Sequence, residues 1–142
     1  VCSSDLNRIS GPLLDRFDIQ VEVAPVEYEH LSSGVKEESS EAIRERVQAA
    51  REIQQKRFAG TDITCNAMIT PDILHDVCPM TDEASVMLKN VFEKMGLSAR
   101  AYDRILKVAR TVADMEGEEV IGKSHIARAV QFRSLDRKYW SE

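Results

Sequence analysis

The chain has little that could staple it. Its three cysteines, Cys2, Cys65 and Cys78, are an odd and sparse set, which excludes a disulfide framework. Cys65, His75 and Cys78 match no zinc-ligand spacing and have no fourth ligand, so no metal is expected and the thiols read as buried or incidental. Long apolar runs are missing, which excludes a membrane-spanning helix. No basic stretch leads into an apolar one near the N-terminus, so no secretory signal is read and the expected setting is cytoplasmic. A positive charge balance is absent as well. The net charge is −5, and the chain as a whole is not drawn to nucleic acid by its charge. The acidic excess is local: residues 1–39 carry 8 acidic and 3 basic side chains, and residues 40–142 carry 16 of each. Repeats and low-complexity segments are also absent.

What is present suits one ordinary globular domain. The 142 residues are 43% hydrophobic and 30% charged, enough to bury a core. The stretch FDIQVEV alternates Phe17, Ile19, Val21 and Val23 with polar neighbours, a period of two that predicts a strand. Pro25 ends it. Residues 27–40 are polar and serine-rich and read as a linker. Beyond them the period becomes helical. A helix is expected from Ser39 or Ser40 to about Phe58, with Ile43, Val47, Ala50 and Ile53 inward. A short one should follow Thr70-Pro71 as far as Val77. Thr81 should cap a helix over 82–95 that Gly96 stops. The clearest helix is Ser98–Glu116. Tyr102, Ile105, Leu106, Ala109 and Val112 share one arc there, while Arg100, Asp103, Arg104, Lys107 and Arg110 share the other. A last helix is expected from about Ser124 to Ser134. The fold class is therefore mostly α, a small helical bundle preceded by one short β-strand.

One motif asks for a nucleotide. GEEVIGKS, Gly117 to Ser124, fits the phosphate-cradling pattern G-x-x-x-x-G-K-[ST]. A working P-loop joins a buried strand to a helix, with backbone N–H groups around the phosphates. Here an amphipathic helix precedes Gly117, and Glu118 and Glu119 would repel a triphosphate. No apolar strand ending in Asp follows to hold Mg²⁺. The simpler expectation is that Gly117 ends one helix, Val120 and Ile121 pack down, and Ser124 caps the next.

Two stretches point further. RISGPLLDRFDIQVEV, residues 8–23, and GLSARAYDRILKVARTVADMEG, residues 96–117, with HIARAVQFRSLDR at 125–137, resemble the C-terminal part of magnesium chelatase-like AAA+ ATPases of the ComM/YifB branch. The resemblance spans residues 8–137 in order; VCSSDL at 1–6 falls outside it. It implies that residues 1–26 are the C-terminal edge of the AAA+ core, 27–40 a linker and 41–142 a helical lid. It implies an arginine finger at Arg16, which in such rings reaches the ATP of the neighbouring subunit, where a planar, permanent cation stabilises the transferring phosphoryl group. It implies a sensor 2 at Arg100, at the start of the lid helix, where helix dipole and guanidinium both favour phosphate. Ordinary alternatives are an ion pair of Arg16 with Asp15 or Asp18, and a solvated Arg100.

By the same resemblance, the partners are a homo-oligomeric ring and DNA, with no membrane, and the cofactors are ATP and Mg²⁺. The family's P-loop and Mg²⁺-binding strand lie upstream of GPLLDRFD. The chain is therefore expected to be a region of an ATP hydrolase that needs no cofactor, and turns over no ATP, by itself. The implied work is branch migration or helicase-type DNA movement linked to competence. The alternatives are the motor subunit of a magnesium chelatase, or a non-enzymatic helical interaction module. Direct DNA contact through Arg104, Lys107 and Arg110 has less in its favour than a solvated or subunit-pairing face, because no aromatic residues interleave with them. His30, His75 and His125 form no catalytic constellation. Tyr139 and Trp140 could pack on the bundle or meet a partner.

Overall fold

The computed structural model describes residues 13, 16–21, 23–25 and 38–133. The polar linker falls mostly outside this set, as do Asp15, His30, Tyr139 and Trp140. The helical part contains α1 (Ser40–Arg57), a one-turn 3₁₀-helix (Asn66–Met68), α2 (Leu74–Val77), α3 (Asp82–Met95), α4 (Ala99–Glu116) and α5 (Lys123–Gln131). Among the described residues no helix is long and apolar enough to cross a membrane.

Local chemistry sets the helix ends. The hydroxyls of Ser39, Thr81 and Ser98 accept the backbone N–H groups of Ala42, Ala84 and Ala101 at 3.2, 3.2 and 3.1 Å. Each satisfies a donor that the first turn leaves open. α4 ends in a Schellman turn, with Glu118 N–H bonded to Ala113 O at 2.9 Å and Gly117 N–H to Asp114 O at 3.2 Å. That turn needs a left-handed residue. Gly117 supplies it with φ of 75°, where a side chain would be strained.

Burial turns these helices into one body. α4 is the spine: Ile105, Leu106, Ala109 and Ala113 are fully buried, and α1, the 3₁₀-helix and α5 all pack against it. Ala109 and Ala113 on α4 and Ala129 on α5 are buried in one shared core. Ile69, Leu74 and Leu88 fill the space below. Each large apolar side chain buried in this way contributes about 1.5–3 kcal/mol. The sole β pairing among the described residues is a parallel bridge, Met80 to Ile121. Ile121 N–H reaches Pro79 O at 2.8 Å and Thr81 N–H reaches Ile121 O at 3.0 Å, which pins the α4–α5 turn to the start of α3.

Three expectations need correcting. Phe17–Val21 forms no strand, because a strand requires a ladder partner and none lies beside it among the described residues. The inward face of α1 is shorter than its period suggests. Ala50 is buried but Ile43 and Val47 are 42% and 39% exposed, so the buried positions of α1 lie in its C-terminal half, at Ala50 and Gln54. The segment after Thr70-Pro71 begins as turns, and its helix starts only at Leu74.

Cys78 belongs to the core, at 2% exposure. Burial pushes its thiol up to about 11, against a usual 9.0, with Arg110 pulling the other way. The folded state therefore keeps a proton that the unfolded chain releases, and stability falls as pH rises from 9 towards 11. At pH 9, iodoacetamide is expected to label Cys78 at least ~10-fold more slowly in the folded than in the urea-unfolded chain. Peptide-level mass spectrometry reads the rate, and equal rates would contradict a buried thiol.

Candidate functional site

Arg16 stands on the N-terminal segment and is exposed. Among the described residues its guanidinium makes no hydrogen bond or ion pair; only its backbone N–H is engaged, with Leu13 O at 3.0 Å. Of the two partners that sequence offered it, Asp15 lies outside the described residues and Asp18 is bonded to Arg104 on α4 instead. Two further contacts hold the segment to the bundle. Arg133, 1% exposed, donates from Nη1 to Phe17 O at 3.0 Å, and Gln20 N–H donates to Phe132 O at 2.8 Å. The segment thus lies across α4 and the end of α5. Beside it is a hollow of about 620 Å³. Its lining is mainly apolar, from Ile19, Val108, Val112, Met115 and Phe132, with the cations Arg46, Lys107 and Arg128 and the acids Asp18 and Glu116 at its edges.

Arg100 is exposed in the first turn of α4, two residues after the Ser98 cap. No acidic residue occupies that turn, whereas α3 carries Asp82 and Glu83 in its own. The positive end of the α4 dipole therefore has no carboxylate of its own turn beside it, and Arg100 adds a cation. Arg104 lies four residues further on the same face. The Asp18–Arg104 pair thus sets the segment of Arg16 one turn along α4 from Arg100.

GEEVIGKS is not a P-loop. It joins α4 to α5 rather than a strand to a helix. Its N–H groups are spent internally: Gly117 and Glu118 on the Schellman turn, Ile121 on Pro79 O and Gly122 on His125 Nδ1 at 2.9 Å. Gly122, not Ser124, occupies the N-cap of α5, and Val120 is 43% exposed while Ile121 is fully buried. The bond from Gly122 leaves Nε2 of His125 to carry the proton, donated to Glu116 Oε2 at 2.9 Å. Arg128 holds the other oxygen of Glu116, also at 2.9 Å. His125 is thereby a joint between α4 and α5.

The largest surprise lies on the face expected to be basic and wet. Arg110 is 1% exposed and Asp114 is 2% exposed. Arg57, from the last turn of α1, grips the Asp114 carboxylate with both Nη atoms. Arg110 Nε adds a bond at 3.1 Å and Asn66 Nδ2 one at 2.7 Å. Arg110 also donates to the carbonyls of Glu118 and Glu119. Burial lowers the Arg110 pKa and the Asp114 charge offsets part of that. This network ties α1, the 3₁₀-helix, α4 and the α4–α5 turn together. The signal for it was the i,i+4 spacing of Arg110 and Asp114; what hid it was the absence of any local cue that α1 covers them.

Cys65, His75 and Cys78 are not brought together, and no group of three or more His, Cys, Asp or Glu side chains suited to a metal occurs among the described residues.

Comparison with known proteins extends these findings. A family model described as "Magnesium chelatase, subunit ChlI C-terminal" matches residues 37–133. The chain is 42% identical over 133 residues to competence protein ComM of Haemophilus influenzae, covering 93% of this chain and 25% of that protein. It is 40% identical over 133 residues to the uncharacterized protein YifB of Escherichia coli, covering 93% and 26%. The YifB of Salmonella typhimurium is similar at 38% over 136 residues, again covering 93% and 26%. The chain spans about a quarter of the length of these relatives.

Proposed function

The chain belongs to the magnesium chelatase-like family of ComM and YifB, and from that membership we propose that it is the arginine-finger and lid region of an AAA+ ATPase motor that acts on DNA. Arg16 is the finger, serving the ATP of a neighbouring subunit. Arg100 is the sensor 2, and α4 carries its response into the bundle. In the family the P-loop and the Mg²⁺ site lie upstream of the stretch that carries Arg16. Residues 1–26 then continue the ATPase core, 27–40 link it to the lid, and 41–142 are the lid.

The observation that carries this reading is the state of Arg16, exposed and without an ion pair among the described residues while the acid two positions away is held by Arg104. DNA as the substrate rests on the relative named as a competence protein.

Turnover by rings carrying Arg16→Ala tests the finger. For sensor 2, Arg100→Ala is expected to weaken ATP binding or slow hydrolysis by about 10-fold, the loss of one charge-assisted phosphate contact. Nucleotide titration and steady-state kinetics read both, and a variant normal in each would return Arg100 to the solvated face.

A further inference from the structure

We propose that Asp18 is a switchable partner, which leaves the finger free while bonded to Arg104 and neutralises Arg16 when released. This rests on the reading of Arg16 and Arg100 given above.

Geometry supplies the two states. Asp18 and Arg104 are 86 residues apart in sequence, so their pairing depends on how the N-terminal segment sits on α4. The neighbouring contacts are of another kind. Phe17 O and Gln20 N–H bond to Arg133 and Phe132 at the end of α5, through the segment's backbone, and hold it whatever the side chain of Asp18 does. The Asp18 carboxylate links the segment to α4 through Arg104. Its side chain is 53% exposed and that of Arg104 is 23% exposed. A half-wet pair of this kind contributes little to stability and exchanges readily. The buried Asp114 network, whose carboxylate is 0% exposed, cannot exchange in this way.

The other partner is close at hand. Arg16 lies two residues from Asp18 and its guanidinium is unclaimed among the described residues. Arg100 and Arg104 are one turn apart on the same face of α4, about 6 Å along its axis. A helix is stiff over one turn, so a phosphate that draws Arg100 also moves Arg104. Asp18 then stays with Arg104 or passes to Arg16. In the first state the finger presents a full positive charge to the neighbouring ATP. In the second that charge is cancelled at its source. Nucleotide held at one site thereby sets the catalytic charge offered to another, a coupling between sites through a defined two-state element.

The test compares three variants of the complete ATPase ring. Arg104→Gln releases Asp18 and is expected to lower kcat for ATP hydrolysis about 10-fold, within the usual range of site-to-site coupling, with KM for ATP unchanged. Adding Asp18→Asn to that variant removes the competing acid and should restore kcat to within about 2-fold of wild type. A merely structural pair predicts the reverse, a double variant no better than the single one. Full activity in Arg104→Gln, or no recovery in the double variant, overturns the switch and leaves the finger assignment standing. Normal turnover in Arg16→Ala overturns the finger itself, and the switch with it.

Discussion

On the proposed finger role, Arg16→Ala in the full-length protein is expected to lower kcat for ATP hydrolysis by on the order of 10³ or more while ATP binding stays largely intact. Charge develops on the transferring phosphoryl group only as the transition state forms. A guanidinium aimed there acts on kcat and contributes little to the ground state. Arg16→Lys should recover little, because an ammonium offers a point charge in place of a planar fork. Mixed rings sharpen the test. If the finger works in trans, Arg16→Ala subunits with an intact P-loop should silence the sites of their neighbours and keep their own. Turnover that simply tracks the fraction of wild-type subunits, with each mutant losing only its own site, would place Arg16 in cis. Turnover unchanged in the fully mutant ring would remove it from catalysis.

The second large effect concerns folding. Asp114→Ala is expected to destabilise the bundle by about 3–5 kcal/mol, the usual cost of removing one member of a buried ion pair. The reason lies in what remains. Arg110, 1% exposed, and the half-buried fork of Arg57 would keep their charges with no carboxylate between them. Asn66 would lose an acceptor as well. Against a total stability of about 5–15 kcal/mol the loss is severe, and the melting temperature should fall by on the order of 10 °C or more. Circular dichroism on heating measures it. The exposed Arg46–Glu38 pair, bonded at 2.6 and 3.0 Å, is the control, and Arg46→Ala should leave the melting curve in place. Similar curves for both variants would mean that water replaces the Asp114 carboxylate and that the network does not hold the bundle.

The contrast between these two pairs explains what could be read from the chain directly. Each helix start at Ser39, Thr81 and Ser98, and each stop at Gly96 and Gly117, depends on bonds within about four residues, so local sequence specifies it. The inward arc of α4 was legible for the same reason: a 3.6-residue period sets which side chains share a face. The motifs around Arg16 and Arg100 likewise carried the family by themselves.

Other features waited for partners far along the chain. FDIQVEV has the alternation of a strand, but a strand exists only beside another one, and among the described residues none lies there. Ile43 and Val47 have helical spacing, yet among the described residues they stay 42% and 39% exposed. GEEVIGKS has the letters of a phosphate loop, while its N–H groups answer to Ala113, Asp114, Pro79 and His125. Arg110 reads as one more cation on a wet face. It is buried because Arg57 and Asn66, 53 and 44 positions earlier, close over Asp114 beside it. The sequence by itself determined where helices begin, which arc of α4 turns inward and which family the chain joins, since those depend on near neighbours. Tertiary structure alone decided which charges are buried and that Asp18 pairs with Arg104 rather than Arg16, because desolvation and ion pairing depend on residues brought together from 48 to 86 positions apart.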